Sequence, residues 1–332
     1  MTIERMAGEA WAAPFPIYAD LTQALAAAHA TGAPQRDPVV AHALAICAAY
    51  AYADTETVAT MTARAGIERP ACVRITQIVD TMSIFSTAYL VQSRCGRVVV
   101  LSYRGTEPAT LLNWLAGADI GPESSTLALT SESVRVHAGF HRNVRATWWP
   151  VLSELTAAVD GRSLLDHAAR VQHPMEALFV TGHSLGGALA ALFALMLCHS
   201  DSRRAIAERL RAIYTFGQPM AVAGPLPRAV ESLAPRLFRH VLPKDPVPGL
   251  PVKSWGPFTH FGQEYRFGQG EWQLARSPVA QLAGMREAVR SGLAFFGSEK
   301  RRASLRYSFA EHAPHHYIAA LSPSDRASEF GD

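Results

Sequence analysis

The chain has 332 residues, of which 49% are apolar and 18% charged, with a formal net charge of +3. A charged fraction below the usual ~25% excludes a solvated, disordered chain and fits one with a large buried core. The basic runs Arg203-Arg204 and Lys300-Arg301-Arg302 are isolated and carry no interleaved aromatics, so nucleic-acid binding has no support.

Residues 1–36, rich in Ala and Pro, read as a loosely attached N-terminal extension with one helix near residues 21–30. Residues 1–11 contain Glu4, Arg5 and Glu9 and no apolar h-region, so an ordinary signal peptide is not expected. Localisation is therefore open between the cytoplasm and export without a recognisable signal. Asp37-Pro38 has the form of an N-cap with proline at the first helical position, opening an Ala-rich helix to about residue 53. A second helix from Asp54 ends at Gly66. Strands are expected at 87–93, 97–103, 177–181, 212–216 and 237–242, with helices at 142–158, 188–199 and 226–233. This alternation predicts an α/β fold with a mostly parallel central sheet flanked by helices, as a single domain over residues 37–325 with a tail at 326–332.

Residues 177–200 lack Asp, Glu, Lys and Arg, but the glycines at 182, 186 and 187 divide them into a buried strand and a buried helix, not a membrane span. Within 281–296, Leu282, Met285, Val289 and Leu293 recur at helical spacing ahead of the basic run 298–306. A packed surface helix is expected there, with amphipathic membrane contact as the alternative. Cys47, Cys72, Cys95 and Cys198 are scattered, without metal-ligand spacing, and read as free buried thiols, with one disulfide as the alternative.

The most specific signal is Gly182-His183-Ser184-Leu185-Gly186-Gly187, a G-x-S-x-G turn between the apolar run 177–181 and the helical run 188–198. Such a strand-to-helix elbow exposes a serine hydroxyl at the top of a sheet, and glycines permit its close contacts. Ser184 is the candidate nucleophile, and the N–H of Leu185, at a helix N-terminus, is a candidate oxyanion donor. A serine nucleophile needs a base and a carboxylate that orients it, and behind such an elbow the chain order is Ser, Asp/Glu, His. Asp245 stands out among the later acids because it follows an apolar strand in Pro243-Lys244-Asp245-Pro246-Val247-Pro248. Of the later histidines, His260, His312, His315 and His316, periodicity does not choose among the last three.

Several segments together resemble the class 3 (fungal-type) lipase family. Tyr103-Arg104-Gly105-Thr106 with Asn113-Trp114-Leu115 is similar to its oxyanion-hole and lid segment. Val136-His137-Ala138-Gly139-Phe140 resembles V-H-x-G-F, and Thr215-Phe216-Gly217-Gln218-Pro219 resembles T-F-G-x-P. Arg239-His240-Val241 with Asp245-Pro246-Val247-Pro248 resembles the aspartate motif, and His260-Phe261-Gly262-Gln263-Glu264 the H-x-G-x-E after it. His312 with Tyr317 resembles the H-x-x-x-x-Y of many bacterial and plant members. The resemblance implies an α/β-hydrolase fold, a triad of Ser184, Asp245 and His312, and an oxyanion hole at Thr106 and Leu185. It also makes residues 107–117 a lid, with Leu111, Leu112, Trp114 and Leu115 meeting substrate. The long segment between His260 and His312 departs from the compact fungal members.

The expected function is a serine carboxyl-ester hydrolase acting on acyl esters of lipids, with a phospholipase A1-type enzyme or a soluble short-chain esterase as alternatives within the class. A non-catalytic lipid-binding module is the alternative outside it. No metal and no organic cofactor is expected, and the expected partners are a lipid ester and, transiently, a lipid surface, with no transmembrane segment. His137, His141 and His260 are read as structural, and His183 as a buried support.

Overall fold

The alternating apolar runs form two sheets in the computed structural model, which describes residues 1–7, 16–105, 124–129, 132–200, 203–283 and 308–325. The larger sheet has nine strands in the order β1 (Thr2–Ala7), β2 (Ala71–Val79), β3 (Ile84–Gln92), β4 (Val98–Tyr103), β7 (Ala177–His183), β8 (Leu210–Phe216), β10 (Leu237–Val241), β12 (Gln263–Gly268) and β13 (Glu271–Leu274). Strands β4, β7, β8, β10 and β12 are mutually parallel, and antiparallel strands flank them on both sides. Every residue of β4 and β7 is buried, as a parallel strand covered on both faces requires. A small antiparallel sheet joins β5 (Ser124–Ala128), β6 (Ser133–His137), β9 (Val222–Ala223) and β11 (Phe258–Thr259).

Side-chain alternation along the strands divides the core in two. On one face Leu178, Val180 and Ile213 pack with α4 (Ala138–Val159) and α5 (Leu185–Cys198). On the other, Phe179, Tyr214 and Phe238 pack with α1 (Leu21–Ala27), α2 (Pro38–Tyr50) and α8 (Pro314–Leu321). Three shorter helices complete the set: α3 (Thr55–Ala65), α6 (Arg204–Ala207) and α7 (Arg228–Leu233). The caps follow the sequence, for Asp37 accepts from the N–H groups of Val39 and Val40, Asp54 accepts from Thr57, and Gly66 ends α3 with φ +124°. The uncharged stretch is β7 followed by α5, and no described helix is long and apolar enough to cross a membrane.

The N-terminal residues are not loosely attached where they are described. Strand β1 pairs along its length with β2, Arg5 bonds the buried carboxylate of Glu154, and Leu21 and Leu25 are fully buried one helical turn apart. The outer edge of β2 would otherwise present unpaired backbone groups, and β1 satisfies them. All four cysteines are free, Cys47 and Cys72 buried and Cys95 and Cys198 half-buried. Burial pushes the thiols of Cys47 and Cys72 up to about 12. The expected helix at 281–296 is described only at its start, where Leu282 is not helical but exchanges backbone hydrogen bonds with Gly249 and Lys253. The rest of that helix, the basic run 298–306 and the tail 326–332 lie outside the described residues.

Candidate active site

Strand β7 ends at His183, and the next residue, Ser184, has a backbone at φ +57° and ψ −131°. A non-glycine residue in that left-handed region costs on the order of 1–3 kcal/mol and persists only where its surroundings hold it. They do so here: Ser184 N–H donates to the Phe216 carbonyl at 2.9 Å, and the Ser184 carbonyl accepts from Gly187 N–H at 2.9 Å. A Cβ on Gly182 would collide with the Gly186 backbone, and one on Gly186 with the carbonyl of Tyr103. The turn therefore closes only with hydrogen at both positions, and it seats the end of β4 directly against the elbow. Leu185 is the first residue of α5, so its N–H belongs to the first turn of amides that have no acceptor within the helix.

Asp245 lies in the loop after β10, buried, with each carboxylate oxygen occupied. Oδ1 accepts from Val247 N–H at 2.8 Å, and Oδ2 accepts from His312 Nδ1 at 2.8 Å and from the Tyr317 hydroxyl at 2.6 Å. Because His312 Nδ1 donates to the carboxylate, Nε2 of the neutral ring is the lone-pair nitrogen. Ser184 Oγ and His312 Nε2 are both buried and have no hydrogen-bond partner among the described residues. Buried polar atoms are rarely left unpaired, and a vacant donor and acceptor at the end of one sheet are what an incoming reactant would engage. Burial, together with the charge and hydrogen bond of Asp245, pushes the Tyr317 phenol well above its ordinary range, so it stays a donor.

The His312 backbone is held as well. His183 Nε2 lies 2.6 Å from the His312 carbonyl, which can only accept, so Nε2 carries the proton and Nδ1 accepts from the Tyr52 hydroxyl at 2.9 Å. Burial and the neighbouring His312 keep the His183 ring neutral, with its pKa well below the ordinary histidine value. Gly217, with φ +60°, lies beneath the pair: a Cβ there would fall 2.7 Å from Asp245 Oδ2 and 2.9 Å from His312 Nδ1. His315 and His316 lie on the first turn of α8 with ring centroids 4.2 Å apart, the former exposed and the latter half-buried.

Two further motif segments brace the aspartate loop from outside the site. Arg239 on β10 and Glu264 on β12 form a fully buried ion pair at 3.0 Å, and Arg239 Nε donates to the Phe261 carbonyl. His260 Nε2 lies 2.7 Å from the Pro248 carbonyl and, as its partner can only accept, donates to it. His137 stacks on Phe140 with centroids 4.2 Å apart, and His141 Nδ1 contacts Ser125 Oγ at 2.9 Å. Among the described residues no group of His, Cys, Asp and Glu could hold a metal ion.

The structure thus brings Ser184, Leu185, Asp245 and His312 to one edge of the sheet. Thr106, Leu111, Leu112, Trp114 and Leu115, with the whole proposed lid at 107–117, lie outside the described residues. The residue before them, Gly105, packs so closely on the elbow that a Cβ would strike the Tyr52 hydroxyl and come within 2.6 Å of the His183 carbonyl. Sequence reasoning missed Tyr52 and Gly217. Nothing in the local sequence marks Tyr52, whereas Gly217 stood inside the quoted T-F-G-x-P segment, and the spacing that marked His312 also contained Tyr317.

Residues 100–255 match the model of the family described as Lipase (class 3). A triacylglycerol lipase OBL1 of Nicotiana tabacum is 38% identical over 146 residues, 42% of this chain and 25% of the relative. A lipase of Rhizomucor miehei is 30% identical over 192 residues, 58% of this chain and 48% of the relative. The chain therefore spans between a quarter and about half the length of these curated relatives. Among solved structures, lipase II from Rhizopus niveus superposes with a TM-score of 0.53 at 25% identity, covering 73% of this chain and 86% of that one. The shared architecture is the α/β-hydrolase fold.

Proposed function

Since the chain belongs to the class 3 lipase family, we propose that it is a serine hydrolase cleaving acyl esters of lipids through an acyl-enzyme on Ser184. The observation that carries this reading is the vacant pair of Ser184 Oγ and His312 Nε2, with His312 Nδ1 bonded to a buried Asp245. In the proposed reaction His312 Nε2 takes the Ser184 proton as Oγ attacks the ester carbonyl, and Asp245 stabilises the resulting imidazolium. The oxyanion is held by the N–H of Leu185 and, by resemblance, that of Thr106. His312 then protonates the leaving alcohol, and water, deprotonated by His312, releases the carboxylic acid and restores Ser184. The lid role of Leu111, Leu112, Trp114 and Leu115, which would form an apolar surface for acyl chains at a lipid interface, rests on the resemblance alone.

A hydrolysis panel tests the reading: p-nitrophenyl esters of rising chain length, emulsified triglyceride and phosphatidylglycerol vesicles. Release of fatty acid from triglyceride is the expected result. Release confined to the vesicles would replace triglyceride with phospholipid, release confined to the shortest esters would replace lipid with a soluble substrate, and none on any ester would overturn the reading.

A further inference from the structure

The hairpin joining β2 to β3 ends in three large apolar side chains that face solvent, Ile78, Met82 and Phe85, at 59%, 53% and 51% exposure. Ile78 and Phe85 are direct cross-strand partners, and Met82 closes the turn between them. Along this row the opposed pairs run Arg74 with Tyr89, Thr76 with Thr87, then Ile78 with Phe85. The row becomes more apolar as it leaves the cover of the core, the reverse of the pattern that solvent favours.

The tip lies at the same sheet edge as Ser184. In the antiparallel β3–β4 pair Ala88 faces Tyr103, and Arg104 N–H bonds the Thr87 carbonyl, so residues 84–87 run past the end of β4. In the parallel β4–β7 pair Tyr103 faces Gly182, two residues before Ser184. The tip is also held firmly from below. The buried Asn143 of α4 accepts from Phe85 N–H at 2.8 Å and donates to the Ser83 carbonyl at 3.2 Å, and Ser86 Oγ meets Thr147 Oγ1 at 3.1 Å. A left-handed Ser83, with φ +50°, completes the turn.

We propose that this braced tip is a docking prong that enters a lipid surface and brings the Ser184 edge down onto it. The proposal rests on the lipid-ester reading above. A lipid surface is the occupant that fits, because three half-exposed side chains present on the order of 300 Å², well below the ~800 Å² per partner of a stable protein interface. A fluid acyl layer, moreover, accepts an apolar projection without needing a pocket matched to its shape.

The test is a triple variant, Ile78→Ser, Met82→Ser and Phe85→Ser, with Phe85→Ser alone as a milder form should the triple fail to fold. Partition onto phosphatidylcholine vesicles is measured in the Ser184→Ala background, so no lipid is consumed. Partition should weaken at least about tenfold in the triple variant and about threefold in Phe85→Ser, on loss of apolar burial. With Ser184 restored, turnover of emulsified triolein should fall by the same order, while turnover of water-soluble p-nitrophenyl butyrate stays within about twofold. Leu274→Ser, at an exposed site on the far edge strand, should change none of these. Unchanged vesicle partition in both tip variants would overturn the prong, and so would equal losses on the soluble and emulsified esters. A loss of self-association with unchanged partition would overturn it in favour of a second copy of the chain. Absence of ester turnover by the parent would instead overturn the Ser184 reading, with vesicle partition still measurable.

Discussion

The Tyr317 hydroxyl donates to Asp245 Oδ2 at 2.6 Å, the same oxygen that receives His312 Nδ1. It also receives the Leu242 N–H at 3.3 Å, so one phenol ties α8 to the aspartate loop. Tyr317→Phe keeps the ring packing and removes the donor. A charge-assisted hydrogen bond of this kind contributes about 1.5–3 kcal/mol, so kcat on a soluble ester should fall roughly tenfold or more with KM little changed. A KM effect with unchanged kcat would show that Tyr317 acts only on substrate access.

Gly217 tests how closely the triad sits on its own backbone. In Gly217→Ala the added methyl meets Asp245 Oδ2 and His312 Nδ1 and also occupies a positive-φ position. We expect at least a ~100-fold loss of turnover, because even a 1 Å displacement of a catalytic group carries that cost. A variant with parental activity would mean that the His312–Asp245 contact has slack that the present geometry does not show.

The clustered histidines separate by geometry. His312 alone of the three meets Asp245, while His315 and His316 turn away on α8. His312→Ala should lower turnover by about 10⁴, and His315→Ala and His316→Ala should each stay within roughly tenfold of the parent. Collapse of either of the latter, with His312→Ala active, would move the base.

Buried neutral histidines predict the acid limb of stability. Burial depresses His42 to about 4, and burial with the nearby Arg142 depresses His137 to about 4, against an ordinary ~6.5 in the unfolded chain. Below pH 6.5 the unfolded chain takes up protons that the folded chain refuses, so the contribution is complete above that pH and is lost as pH falls toward 4. Each ring accounts for about 3 kcal/mol at most. The urea midpoint should fall steadily from pH 7 to pH 5, and His42→Gln should flatten part of that slope. A level midpoint over this range would contradict the neutral buried rings.

The legible parts of the sequence were those in which one local pattern had a single physical meaning. The glycines around Ser184, the Asp37 and Asp54 caps and the uninterrupted apolar runs of β4 and β7 are of this kind. Strands β1 and β2 were missed because neither keeps a clean alternation, with Glu4-Arg5 and Thr76-Gln77 polar in succession, and pairing between residues 2–7 and 71–76 is set by register across the fold. Tyr52 was invisible for a related reason: its contact with His183 spans 131 residues and depends on how α2 packs against β7. Periodicity left His312 open against His315 and His316, the five-residue spacing to Tyr317 selected it through the family resemblance, and in the fold it is His312 that meets Asp245.

The central claim is that Ser184 is an activated nucleophile, and covalent labelling reads it most directly. The parent chain is treated with a fluorophosphonate, digested, and the modified peptide identified by mass, in parallel with Ser184→Ala. The account predicts a single phosphonylated site at Ser184, no label in Ser184→Ala, and in that folded variant only the residual ~10³-fold catalysis over water that an oxyanion hole alone supplies. A label on another residue, or normal labelling of Ser184→Ala, would contradict it.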